Sequence, residues 1–255
     1  MRLIRYQAKK EPIQYGWVSN DKVGRIDGSP FEEFQRLEAA LPLDSVKLHS
    51  PVLPGKVICV GRNYAEHIKE HKAETPTTPL LFLKPPSAVI GPGHTIFIPP
   101  QSQQVEHEAE LVVVIGKRGR WIQPSEALSY IYGYTIGNDV TARDLQNRDS
   151  QWTRSKGFDT FCPLGPWIET DFNPADAIIT CHVNGELRQM ASTKDMIFHV
   201  DQVVAFASSI MTLDPGDVIM TGTPAGVSPL RAGDVVEVTI DGLGKLRNPV
   251  ELEKH

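Results

Sequence analysis

Three glutamates and a histidine enter an apolar run in the stretch VEHEAELVVVIG, residues 105–116. If this stretch is extended, Glu108 and Glu110 share one face, with Cα atoms roughly 7 Å apart. Glu106 has the same parity but lies farther out, and His107 faces the other way. Two neighbouring carboxylates at the start of a buried strand must protonate, stay hydrated or share a cation. Spacing alone leaves open a solvated strand entry or a site for Mg²⁺, Mn²⁺ or Ca²⁺.

A third oxygen donor stands at the end of another apolar segment. Asp139 follows YIYGYTIGN and precedes VTARD. A carboxylate at a strand end can join a metal site, and it can equally cap the turn that follows. Both interpretations remain open from this residue alone.

The segment NYAEHIKEH predicts a helix with a possible catalytic pair. His67 and Glu70 are spaced i, i+3 and so share a face. A carboxylate that orients an imidazole is the arrangement a general base requires. His67 and His71, at i, i+4, could instead bind zinc, although Ile68 follows His67 and the H-E-x-x-H pattern is absent. The third alternative is a solvated helix whose charges pair locally.

Two lysines lie among apolar, glycine and proline residues. They are Lys84 in FLKPP and Lys156 in TRSKGFDTFCPLGP. Each could extend its ammonium group to solvent or meet an anion.

The elements around these residues predict a β-rich α+β fold, because strands outnumber helices and do not alternate with them regularly. The predicted helices are PFEEFQRLEAAL, NYAEHIKEHKA, PSEALSYIYG and DQVVAFASSIMTL, the last with Asp201 as its N-cap. The prolines and glycine of HSPVLPGK suggest a boundary. We therefore expect a small N-terminal domain, 1–53, and a larger domain, 54–255.

Composition excludes several classes of protein. The formal charge is -5 and no basic cluster is present, which argues against nucleic-acid binding. No apolar run approaches the roughly 18 residues of a membrane span, and the N-terminus lacks the apolar region of a secretory signal. Three scattered cysteines, at positions 59, 162 and 181, fit a reduced protein. We expect a cytoplasmic protein that contacts neither membrane nor nucleic acid.

Taken together, the motifs resemble the fumarylacetoacetate hydrolase (FAH) family from about Val57 to Val250. Eight segments carry the resemblance in order: GRNYAEHIKE, LFLKPPSAV, VEHEAELVVVIGK, GNDVTARDLQ, WTRSKGFDTFCPLGP, VNGELRQ, MIFHVDQVVAFAS and GDVIMTGTPAGV. The first 50 residues resemble the small, variable N-terminal region of bacterial members. The resemblance implies a mixed β-roll or sandwich core with a few helices, and a homodimer.

The resemblance also implies roles for individual residues. Mg²⁺ or Mn²⁺ would be held by three carboxylates, Glu108, Glu110 and Asp139. His67 and Glu70 would form a water-activating pair on a lid segment, 63–75, and Lys156 would be catalytic. The residues expected to contact substrate are Arg62, Lys84, Arg143, Gln146 and Thr223.

The implied substrate is a small α-keto or enol acid that chelates the metal through its carboxylate and C2 oxygen. The first hypothesis is hydrolysis of a C–C bond in an acylpyruvate, a 2,4-diketo acid. The alternatives are isomerisation or decarboxylation of a 2-hydroxyhepta-2,4-diene-1,7-dioate-like diacid in aromatic catabolism, or decarboxylation of oxaloacetate. All of these reactions share a pyruvate-type enolate, so the family resemblance alone does not choose among them.

Overall fold

The computed structural model describes residues 1–9, 11–70 and 72–254, and most of its elements are strands. Their bounds are β1 Arg2–Ala8, β2 Gln14–Ser19, β3 Lys22–Gly28, β4 Phe34–Pro42, β5 Val46–His49, β6 Val57–Gly61, β7 Leu80–Lys84, β8 Val89–Ile90, β9 Ile96–Ile98, β10 Val105–Glu106, β11 Ala109–Ile115, β12 Ile131–Asn138, β13 Thr141–Ala142, β14 Cys162–Glu169, β15 Ile178–Val183, β16 Glu186–Ser192, β17 Val218–Met220, β18 Val235–Ile240 and β19 Gly244–Leu252.

The helices are few and short. They are α1 Ala65–Glu70, α2 Arg143–Arg148, α3 Thr153–Lys156 and α4 Val200–Ile210, with 3₁₀ turns at Leu43–Ser45, Pro86–Ala88, Pro124–Tyr130 and Thr193–Asp195. This confirms the β-rich α+β class. Within the described ranges, no helix has the length and apolar character needed to cross a membrane.

The largest sheet contains strands from the N-terminal segment and from the rest of the chain. Its order is β4-β3-β2-β1-β14-β12-β11-β17-β6-β7, with β5 beside β1 and β8 beside β14. A second sheet has the order β16-β15-β18-β19-β9, and β10 pairs with β13. Because β1 pairs with β14, the N-terminal strands extend the sheet that contains the glutamate strand β11.

Strand β11 lies at the centre of the core and is buried on both faces. Leu111, Val113 and Ile115 belong to the larger apolar cluster, whereas Val112 and Val114 belong to a second one. Alternate side chains of β11 thus pack into apolar layers on opposite faces of the sheet, as expected for a strand covered on both sides. This packing makes β11 a rigid support for the carboxylates at its start.

Two helix predictions need correction. From Phe34 onward the segment PFEEFQRLEAAL forms β4, which pairs with β3 through an irregular register. Its Glu, Gln, Arg, Leu and Ala residues favour a helix, but pairing to a neighbouring strand overrides local propensity. The other correction concerns α4, which begins at Val200 with His199 as N-cap. Asp201 therefore lies inside its first turn and is not the N-cap.

The other two helix predictions agree with the structure over part of their length. Helix α1 occupies Ala65–Glu70 within NYAEHIKEHKA, and a 3₁₀ turn occupies Pro124–Tyr130 within PSEALSYIYG. His71, the second member of the possible zinc pair, lies outside the described residues.

Candidate metal centre and active site

Three buried carboxylates meet where β11 begins and β12 ends. Glu110 lies in β11, Glu108 directly precedes it, and Asp139 directly follows β12. The antiparallel register pairs Ala109 with Asn138, and the Asp139 amide donates to the Glu108 carbonyl at 2.8 Å. One ligand oxygen from each carboxylate lies within 4.8 Å of the others.

Two lysines bind the outer members of this triad. Nζ of Lys156 lies 2.7 Å from Oε2 of Glu108 and 2.6 Å from Oδ2 of Asp139. Nζ of Lys84 lies 2.5 Å from Oδ1 of Asp139 and donates to the Val140 carbonyl at 3.1 Å. Asp139 is therefore fixed from two sides by fully buried ammonium groups.

Arg143 connects the triad to a fourth carboxylate. Its Nε lies 2.8 Å from Oε2 of Glu106, its Nη2 lies 2.5 Å from Oε1 of Glu108, and its Nη1 donates to Gln146 Oε1. A guanidinium group suits this role because its planar fork engages several acceptors at once. The side chain of Gln146 is thereby held beside Glu108.

The environments of Glu108 and Glu110 push their pKa values in opposite directions. Burial disfavours the ionised form of Glu108, but Lys156 and Arg143 outweigh it and hold its pKa well below the usual range. Burial, together with the nearby charges of Asp139 and Glu108, raises the pKa of Glu110 well above its usual range. Within the described chain, no lysine, arginine or histidine nitrogen lies within 4.0 Å of Glu110, whose Oε2 accepts from the Gly222 amide at 2.7 Å.

Gly222 must be glycine for this contact to form. Its φ is +96°, in the region that favours glycine, and a Cβ there would lie 2.7 Å from Cβ of Asn63. The backbone can therefore bring its amide to Glu110 only because the side chain is absent.

The donor set fits a hard divalent cation. The buried network contains four carboxylates and three cations (Lys84, Lys156 and Arg143), which leaves one negative charge when all are ionised. A divalent ion would reverse that sign to one positive charge, a balance suited to an anionic ligand. Glu108, Glu110 and Asp139 supply only oxygen donors, and such ligands favour Mg²⁺, Mn²⁺ or Ca²⁺.

The predicted His67–Glu70 pair lies on α1 beside this centre. The two residues are three positions apart, about one helical turn, and Nδ1 of His67 lies 3.4 Å from Oε2 of Glu70. His67 is buried, whereas Glu70 is 36% exposed and accepts from the Gly226 amide at 3.3 Å. The geometry therefore gives the imidazole a carboxylate partner that is itself anchored to the loop after β17.

One cavity of about 290 Å³ collects most of the expected site residues. From the sequence predictions it is lined by His67, Arg62, Glu108, Glu110, Asp139, Arg143, Gln146, Lys156 and Thr223. A cavity of this volume admits a small acid of pyruvate-like dimensions with a short substituent.

Lys84 and Glu70 are not among the residues that line this cavity. Lys84 is only 1% exposed, because its ammonium group lies behind Asp139, between that carboxylate and the Val140 carbonyl. Lys84 thus contacts a carboxylate that is expected to bind a metal, and its predicted contact with substrate stays a prediction. Glu70 likewise contacts His67, with its Oε2 3.4 Å from Nδ1, and does not line the cavity itself.

Several lining residues were not singled out from the sequence: Phe82, Asn147 and Trp152. Trp152 packs edge-on against Phe82, with ring centroids 5.3 Å apart, and so forms an aromatic wall. The sequence offers one indication of this role, because Trp152 stands in the polar run NRDSQWTRSK and an aromatic residue in such a run needs a packing partner. Glu106, placed at the flank by alternation, is buried because Arg143 pairs with it.

Comparisons with known proteins agree with this fold. Residues 56–251 match the family described as "Fumarylacetoacetate (FAA) hydrolase C-terminal", and residues 1–51 match "Rv2993c-like, N-terminal". A Bos taurus relative, "Oxaloacetate tautomerase FAHD2B, mitochondrial", is 44% identical over 223 residues, which cover 82% of this chain and 71% of that protein.

Two solved structures superpose over whole chains. The 2-hydroxyhepta-2,4-diene-1,7-dioate isomerase from Mycobacterium marinum is 42% identical, with a TM-score of 0.93 and 100% of both chains covered. Maleylpyruvate hydrolase from Sphingobium sp. SYK-6, in complex with manganese(II) ion and pyruvate, is 30% identical, with a TM-score of 0.83 and the same coverage. The chain belongs to the fumarylacetoacetate hydrolase family of enzymes.

Proposed function

We propose that this protein is a divalent-metal-dependent enzyme that moves a proton at the carbon next to the keto group of a small 2-keto acid, as in keto–enol tautomerisation of oxaloacetate. The observation that carries the proposal is that one cavity is lined both by an imidazole with a carboxylate partner and by three buried carboxylates. The names of the bovine tautomerase and the mycobacterial isomerase support proton transfer as the first candidate reaction.

The metal would be held by Glu108, Glu110 and Asp139. When bound, it would supply Lewis-acid stabilisation of negative charge at the substrate's keto oxygen. Mg²⁺ and Mn²⁺ both suit these ligands, and the maleylpyruvate hydrolase structure with manganese supports this pair of candidates.

The protein's own groups supply the remaining chemistry. Nε2 of His67 would take and return the proton at C3, while Glu70 holds the ring through Nδ1 and stabilises its protonated form. Lys156 stays protonated, because Asp139 and Glu108 raise its pKa despite complete burial. Its ammonium group, with Arg143, would offset the charge that develops on the substrate.

The second candidate is hydrolysis of a C–C bond in an acylpyruvate. The His67–Glu70 pair favours it, since an imidazole held by a carboxylate can take a proton from water as readily as from carbon. The hydroxide would attack the distal carbonyl, and the bond between that carbonyl carbon and C3 would break. The electron pair would remain on the pyruvate fragment, which then takes up a proton.

A substrate panel separates these candidates. The purified protein would be assayed with Mg²⁺ and with Mn²⁺ on enol-oxaloacetate, acetylpyruvate, fumarylpyruvate and the heptadiene diacid, ranked by kcat/KM. Proton transfer as the main activity predicts that oxaloacetate or the diacid ranks first. A ranking led by either acylpyruvate would favour hydrolysis, and no metal-dependent turnover of any member would refute the proposal.

A further inference from the structure

A buried amide outside the cavity has all of its hydrogen-bonding capacity filled. Gln189 of β16 is 0% exposed. Its Oε1 accepts from the Ala109 amide at 3.1 Å and lies 2.9 Å from Nδ1 of His107. Its Nε2 donates to the Pro224 carbonyl at 2.8 Å and to Oγ1 of Thr223 at 2.7 Å.

Two of these partners fix which end of the amide is which. A backbone N–H can only donate and a carbonyl can only accept, so Oε1 must face Ala109 and Nε2 must face Pro224. The orientation of the Gln189 side chain is therefore set by backbone groups that cannot change role.

This orientation assigns the protons on the other two partners. His107 must carry its proton on Nδ1, which leaves Nε2 to accept from Ser228 Oγ at 2.8 Å. Oγ1 of Thr223 accepts from Gln189, so its own hydrogen must be donated elsewhere. Thr223 lines the cavity, and among the described residues its Oγ1 makes no hydrogen bond other than the one it accepts from Gln189.

We infer that Gln189 is a positioning residue that holds the Thr223 hydroxyl as a hydrogen-bond donor to the carboxylate of the 2-keto acid. The inference rests on the proposed function for the identity of the ligand. A donor with a fixed direction costs no reorganisation when an anion binds, which is the physical advantage of preorganisation.

Gln189 also ties together two walls of the site. It joins the start of β11 at Ala109 to the loop after β17 at Pro224. The same loop donates to Glu110 through Gly222 and to Glu70 through Gly226. A Cβ on Gly226 would lie 2.0 Å from the Arg188 carbonyl, so this loop packs directly against β16. The amide thus sits where β16, the loop and the metal-binding strand converge.

A double-mutant cycle tests the inference. The single variants are Gln189→Met, which removes the donor, Gln189→Glu, which preserves the shape of the side chain, and Thr223→Val. The double variants combine each of the two Gln189 changes with Thr223→Val. The readouts are KM, kcat and the oxalate dissociation constant in the presence of Mn²⁺, measured by calorimetry. Loss of one hydrogen bond to a charged group predicts an increase of about tenfold or more in KM and in the oxalate constant.

The Gln189 changes should weaken binding without slowing the chemical step, and only in a protein that still has Thr223. We expect kcat to stay within about threefold, and the Gln189 changes to add nothing once Thr223 is valine. Asn248→Asp is the matched control, because Asn248 is another buried amide that donates to two carbonyls, of Gly91 and His94, away from the site. It should lower the melting temperature while leaving KM unchanged.

Three results would overturn the inference. They are unchanged binding in Thr223→Val, additive effects in the double variants, or an equal rise of KM in Asn248→Asp. Absence of turnover in the wild type would refute the proposed function alone, because the oxalate measurement does not depend on turnover. Failure of the wild type to bind oxalate with Mn²⁺ would refute the inference as well.

Discussion

The ammonium group of Lys156 lies 2.6 Å from Asp139 and bridges it to Glu108, so a protein cation joins two carboxylates expected to bind the metal. All three side chains are almost completely inaccessible to solvent. Without a compensating positive charge, these two carboxylates would repel each other in a medium of low polarity. We therefore expect the same lysine to affect both the stability of the metal-free protein and the proposed activity.

Lys156→Met should destabilise the metal-free protein by about 3–5 kcal/mol, because two buried carboxylates each lose one of their two cationic partners and keep only Lys84 or Arg143. Added Mn²⁺ should restore much of this loss, since the ion binds only the folded state. Thermal unfolding with EDTA and with Mn²⁺ measures both effects, and kcat should fall by about 100-fold or more. Lys69→Met is the control, because Lys69 pairs with Glu66 on an exposed surface. A variant as stable as the wild type in EDTA would contradict the prediction.

Glu110→Ala should separate metal binding from stability. Glu110 has no cationic partner among the described residues and carries a raised pKa, so its loss orphans no buried cation. The lost acceptor of the Gly222 amide should be offset by relief of the repulsion from Asp139 and Glu108, so we expect the free energy of unfolding in EDTA to change by no more than about 1 kcal/mol. Mn²⁺ affinity should fall by at least about 100-fold. Glu108→Ala should lose metal affinity and stability together, because it removes a partner from Lys156 and Arg143. Similar instability in both variants would argue against this division of roles.

The carboxylate triad was predictable in part from alternation. Glu110 lies in a true strand, and Asp139 follows one, as the apolar runs indicated. Glu108 lies in a break between β10 and β11, so its approach to Glu110 depends on local chain direction as well as on parity. The positive charges that compensate the buried Glu108 carboxylate belong to Lys156 and Arg143, which are 48 and 35 residues away in the sequence. No local pattern contains those contacts.

The remaining differences arise from tertiary pairing. The residues of β4 favour a helix, yet they complete a sheet whose hydrogen bonds are available only in the folded chain. Lys84 appeared equivalent to Lys156 in the sequence, because both stand among glycine and proline. Only the register of β6 and β7 places Lys84 behind Asp139 and leaves Lys156 facing the cavity.

Asp144 gives a prediction for pH dependence outside the metal centre. Burial opposes its ionisation, but the Ser102 hydroxyl and the Gln103 amide donate to it and lower its pKa. A lowered folded-state pKa contributes stability above the unfolded value of about 3.9 and loses it as pH falls through the folded value. Because Asp144 is only partly buried, solvent screens its interactions, and Asp144→Asn should cost only about 0.5 kcal/mol at pH 7.

Urea unfolding at pH 7, 5 and 3 checks this prediction. The difference between Asp144→Asn and wild type should persist at pH 5 and shrink towards pH 3. Ser102→Ala, which removes only one donor to Asp144, should show a smaller difference with the same pH dependence. A difference that grows on acidification would reverse the assigned sign.

His67→Ala should distinguish proton transfer and hydrolysis from simple loss of carbon dioxide. Tautomerisation of oxaloacetate and cleavage of an acylpyruvate both need a base, so each should fall by about 100-fold or more. Decarboxylation of oxaloacetate requires no proton removal and should retain most of its rate, provided that the bound metal is unchanged. Mn²⁺ affinity, measured in parallel, supplies that check. Glu70→Gln should reduce the same two reactions by a smaller factor, because it removes only the charge that stabilises the imidazolium. Equal loss of all three reactions at unchanged metal affinity would show that His67 serves substrate binding instead of proton transfer.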